Sequence, residues 1–159
     1  MKVSMLSITL VCLSLFFIGE LQAQQEYGHT EFQASGSEEA KKVFLKGLLQ
    51  LHNFEYEDAR ATFLEVQTID PDFVMAYWGE ALTYEHPLWS QFDTKASRAV
   101  LAKLGPTPED QVSAAPTERE KAYMRSVRVL FGEGSQEERE IAYSSALEAI
   151  SREYPDDVD

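Results

Sequence analysis

Residues 70–89 read DPDFVMAYWGEALTYEHPLW, and their reading decides the fold. Asp70 and Pro71 close the helical pattern before them, and a new helix is expected from Asp72 to about His86, where Pro87 stops it. A helix on a protein surface carries one apolar stripe and one polar face. This one is apolar nearly all round: Val74, Met75, Ala76, Tyr77, Trp78, Ala81, Leu82 and Tyr84 are interrupted only by Glu80, Thr83 and Glu85. Such a helix has to be covered on more than one side. The chain is therefore expected to be a stack of helices with this segment inside it.

Working outward, the neighbouring segments repeat the helical period. Ser37 is placed to cap a helix running to about His52, with Glu38 and Glu39 in its first turn, where carboxylates suit the helix dipole. Gly47 falls mid-helix, at a cost of about 1 kcal/mol against alanine, which is accepted where another helix backbone comes close. After the turn at Asn53, Phe54 and Glu55, a second helix carries Ala59, Phe63, Val66 and Ile69 on one side. Beyond Pro87 a loop with Trp89 and Phe92 is expected to pack down. Asp93 caps a fourth helix to about Leu104, and residues 105–116, with three prolines, read as a long linker. Thr117 and Glu120 have the spacing of a capping box for a fifth helix to about Phe131. The sixth, from Gln136 to about Glu153, is expected to turn Ile141, Ala142, Ala146, Leu147 and Ile150 inward before the turn at Tyr154 and Pro155. No alternating strand pattern competes, so the fold class is all-α, about six helices in three antiparallel pairs.

At the N-terminus, Lys2, the apolar run 8–18 and the ending Leu21, Gln22, Ala23 read as a signal peptide of residues 1–23, cleaved after Ala23. An uncleaved anchor is the alternative. Residues 24–37 read as a flexible leader, and 38–159 as the folded domain. The single cysteine, Cys12, lies in the apolar run, so the exported chain has no disulfide and no thiolate metal site. The net charge of −13 argues against sequence-independent nucleic-acid binding and against an anionic membrane surface once the signal is cleaved. The charges are spread along the chain, which fits solubility in the periplasm or outside the cell better than an acidic docking face.

An offset of 34 residues pairs Ala40 with Val74, Val43 with Tyr77, Phe44 with Trp78, Gly47 with Ala81, Leu48 with Leu82 and His52 with His86. Gly47, Tyr56, Ala59, Phe63, Asp70 and Pro71 stand where the tetratricopeptide repeat has its small residues, aromatics and closing proline, and Tyr77, Ala81 and Tyr84 begin the next copy. The chain resembles tetratricopeptide proteins, in particular the N-terminal part of large exported bacterial ones. The resemblance covers about 38–159 and is strongest over 44–89. It implies a right-handed superhelix with a concave face presenting Phe44, Leu48, Leu51 and His52 and then Met75, Trp78, Leu82 and His86. That face is expected either to dock a protein or peptide or to be covered by later parts of the same chain. The missing polar capping helix after Asp159 reads as the N-terminal part of a longer protein.

No catalytic motif stands out, so a non-enzymatic scaffold without cofactor is expected. A metal-dependent hydrolase built on His52, Glu55 and His86 is the weaker alternative, because equivalent positions on stacked helices lie about 10 Å apart. Asp70 with Asp72, and Asp156 with Asp157 and Asp159, miss the calcium-loop spacing. Glu80 and Glu85 are expected to be solvated, and Trp78 and Trp89 to be core.

Overall fold

The structure, a computed structural model, describes residues 28, 30–155 and 157. The expected signal peptide and its cleavage site, residues 24–27 of the leader and part of the closing turn lie outside them. The described residues form seven α-helices and one small β-hairpin, an all-α chain. The helices are α1 (Glu38–His52), α2 (Tyr56–Ile69), α3 (Val74–Leu82), α4 (Thr94–Leu101), α5 (Pro108–Ser113), α6 (Glu118–Leu130) and α7 (Gln136–Glu153).

Consecutive helices pack as neighbours. α1 lies on α2, α3 lies between α2 and α4, and α6 lies on α7; α3 also reaches across to α6 and touches α1. Seven of the nine residues of α3 are buried, Glu80 among them. α3 is therefore covered on several sides, the requirement that its apolar circumference imposes.

The approach of α1 and α3 to α2 is set by one ring. Phe63 of α2 is fully buried, and a Cβ built on Gly47 of α1 would stand 2.9 Å from its Cε1. A Cβ built on Gly79 of α3 would stand 2.5 Å from its Cζ. What Gly47 admits is thus an aromatic side chain rather than a second backbone.

α3 ends at Leu82, four residues before the expected stop. Residues before a proline are driven out of the α region, and His86 has φ −117° and ψ 72°. The chain turns into β1 (Glu85–His86), which pairs antiparallel with β2 (Gln91–Phe92) across a 3-10 turn at Pro87–Trp89. Arg60 of α2 clamps the helix end, donating from Nε to Thr83 Oγ1 at 3.0 Å and from Nη2 to Thr83 O at 2.9 Å. Trp89 is 55 % exposed rather than core.

Three other expectations are corrected. The stretch 105–116 is not an open linker, because Thr107, Pro108 and Asp110 build a capping box with proline at the first helical position and start α5. α7 buries Ile150 and partly buries Tyr143 and Leu147, whereas Ile141 is 62 % exposed. Its inward stripe runs 143, 146, 147 and 150. The leader is packed from Phe32 onward: Ser37 N donates to Asp70 Oδ2 at 2.8 Å, and Ser35 donates from N at 2.7 Å and from Oγ at 2.9 Å to the buried Glu120 carboxylate. Thr117 still caps α6 by accepting from Glu120 N at 3.1 Å, but the Glu120 side chain serves the leader instead of closing the box on the Thr117 backbone.

Gly79→Ala should lower stability by about 1–3 kcal/mol through overpacking against Phe63, despite its better helix propensity. Urea denaturation measures this. Adding Phe63→Leu should return part of the loss, so the double variant is less destabilised than the sum of the two singles.

Candidate functional site

A cavity of about 420 Å³ opens between α3 and α7. Its floor is aromatic. Phe32, 8 % exposed, sits with its ring 5.1 Å from Tyr123, 5.6 Å from Phe44 and 6.0 Å from Trp78, the last pair stacked. Trp78 meets Tyr123 edge-on at 5.7 Å. The Arg119 guanidinium lies 4.2 Å over the Phe32 ring and forms a bidentate pair with Asp157, 2.7 Å on each arm. It also donates to Gln33 O. The leader is thereby held against α1, α3 and α6, and Phe32 covers part of the face that was expected either to dock a partner or to be covered by later parts of the chain.

The walls come from four places in the chain: Leu51 and His52 at the end of α1, Phe54 and Tyr56 at the first turn, Leu82, Glu85, Pro87 and Phe92 around the β-hairpin, and Leu130, Glu140, Tyr143 and Leu147 of α6 and α7. Phe54 and Trp89 stand exposed near the rim, edge to face at 6.3 Å. Phe54 holds φ 63°, a left-handed conformation that a three-residue turn between two packed helices demands.

The expected contact residues divide into two sets. Leu51, His52, Trp78 and Leu82 line the cavity. Phe44, Leu48 and Met75 have no exposed surface and cannot meet a partner; they are core behind the floor. Helical periodicity puts all of these on one face, but it does not tell the layer nearest solvent from the layer beneath. His86 lies outside the lining: it stacks on Tyr56 at 3.9 Å, with Nε2 2.9 Å from Thr83 O. Sequence reasoning missed Phe32, Tyr123, Tyr143 and Glu140. Phe32 carries the one available signal, a large aromatic in an otherwise polar leader.

The polar groups are unusual for an apolar cavity. Burial pushes the Glu85 carboxyl up to about 7; the nearby Glu140 charge adds to the rise and Arg139 opposes it. Burial, with the Glu85 charge, pushes the Tyr143 hydroxyl up to about 12. Trp78 is 6 % exposed, and its Nε1–H has no acceptor among the described residues. Glu80, also expected in solvent, is 3 % exposed; it accepts from Gln67 Nε2 at 2.7 Å and from Lys103 Nζ at 3.0 Å. It serves the α2–α3 contact and is not part of the cavity.

His52, Glu55 and His86 do not form a ligand set. Among the described residues no three His, Cys, Asp or Glu side chains are grouped to hold an ion. None of the helices of the described residues is long and apolar enough to cross a membrane. No protein-family model, curated protein or solved structure matches the chain.

Glu85 binds its proton more tightly folded than unfolded, so its effect on stability is absent below its ordinary value of 4.5 and grows unfavourable as pH rises through about 7. Glu85→Gln should therefore raise the melting temperature at about pH 8 and leave it nearly unchanged at about pH 4. Melting curves of the two proteins at both pH values check this, and equal gains at both would show that burial of charge is not the cause.

Proposed function

We propose that this chain is a non-enzymatic, tetratricopeptide-like helical scaffold that binds a protein segment in the cavity between α3 and α7. The packed pairs α1–α2, α3–α4 and α6–α7 support the repeat reading. The observation that carries the docking reading is the cavity itself. It is apolar, open on one side and flanked by the exposed rings of Phe54 and Trp89. Fully burying one large apolar side chain is worth about 1.5–3 kcal/mol, so two or three partner side chains in such a slot supply a useful affinity. Contiguous exposed apolar surface of this kind marks interaction sites. With the signal peptide read at 1–23, the setting proposed for this contact is the periplasm or the exterior.

Selection of displayed peptides against the protein tests the reading. Enriched peptides should be rich in apolar residues, and Leu147→Lys should weaken them more than about tenfold by placing a charge in the wall. The thermal melt of that variant should stay close to the parent, because Leu147 is only partly buried. Enriched peptides that bind the variant as tightly as the parent would rule out this cavity as their site.

A further inference from the structure

The cavity holds more chemistry than an apolar slot requires. Two carboxyls, Glu85 of β1 and Glu140 of α7, share a lining with the rings of Trp78, Tyr123 and Tyr143. Among the described residues neither carboxyl has an ion pair; Glu140 Oε1 accepts only from Gln136 Nε2, at 2.8 Å. The cation that acts on Glu85 is Arg139, and its guanidinium donates to Leu130 O at 3.0 Å and to Gly134 O at 2.9 Å. It is fixed at the α6–α7 turn by backbone carbonyls.

Glu85 is half-buried beside the rings and Glu140 lines the cavity while exposed, and neither suits a neutral or anionic occupant. A neutral one would desolvate them without a partner, and an anionic one would add repulsion. A cation gains twice, from the carboxylates and from ring faces, which attract ammonium groups. We infer that the cavity takes a basic side chain of an otherwise apolar peptide, a lysine whose stem lies along the rings and whose ammonium meets Glu85 and Glu140. This inference rests on the docking reading above and adds to it the charge of the bound segment.

Binding such a cation favours ionised Glu85, so affinity rises with pH across the neutral range. The other titratable groups around Glu85 are His52 on α1, Tyr56 on α2, Tyr123 on α6, Arg139, Glu140 and Tyr143 on α7, and His86 beside it on β1. The variant Glu85→Gln separates them from the carboxyl.

The probes are three acetylated, amidated apolar pentapeptides that differ at the central position: lysine, its uncharged isostere norleucine, and glutamate. Calorimetric titration of the full chain should show the lysine peptide about tenfold tighter than the norleucine peptide, with the glutamate peptide weakest. Glu85→Gln should shrink the gap between lysine and norleucine to the part that Glu140 supplies and remove most of the pH dependence. Norleucine binding as well as lysine would overturn the inference while leaving the docking reading intact. Failure of all three would overturn both. A pH dependence unchanged in Glu85→Gln would assign the effect to another group and remove Glu85 from the site. Sedimentation covers the remaining occupant: if no peptide binds and the chain is a dimer that a charge at Leu147 dissociates, the cavity belongs to a second copy of the chain and the inference falls.

Discussion

One phenyl ring governs how closely three helices lie. Phe63 rests against the bare α-carbons of Gly47 on α1 and Gly79 on α3, so both helices approach α2 to a distance that a methyl group would forbid. From that ring a continuous series of aromatic contacts leads outward. Phe63 meets Phe44 at 5.7 Å, Phe44 meets Phe73 at 5.1 Å and Phe32 at 5.6 Å, and Phe32 passes the contact to Trp78 and Tyr123. Each tilted or stacked pair adds about 0.5–1.5 kcal/mol beyond area burial. The same series that fixes the helix spacing therefore ends as the floor of the cavity. Core and site are one structure, and a change at the glycines reaches the cavity through rigid rings.

The described part of the leader covers the aromatic floor and leaves the cavity beside it. Phe32 covers Phe44 and part of Trp78, and Arg119 and Glu120 hold the segment that carries it. Toward the β-hairpin, at the boundary of that floor, Leu51, Leu82 and Phe92 share the cavity lining with Tyr143 and Leu147. Glu85 sits at that boundary, close enough to apolar walls to lose much of its hydration.

Much of the helical architecture was legible from residue spacing. The apolar circumference of α3, the Ser37 and Asp93 caps and the closing Asp70–Pro71 pair each rest on local chemistry, and the structure has them. What could not be read depended on distant partners. Pro108 looks like a breaker until Thr107 and Asp110 make it a helix start. Glu120 looks like half of a local box until Ser35 arrives from 85 residues away. The leader looks polar and free because Phe32 counts for little in its composition, although that ring makes three ring contacts in space. For the site, spacing gave the face but not the depth, so Phe44, Leu48 and Met75 were grouped with residues that do reach the cavity.

Arg119 has a geometric effect beyond holding the leader. Its guanidinium grips the backbone at Gln33 and the carboxylate of Asp157, so the first and last described segments meet at one corner. A load applied at Gln33 and at Asp157 would act there as a single pivot. The helices would swing about that corner together, with the cavity carried along unstretched.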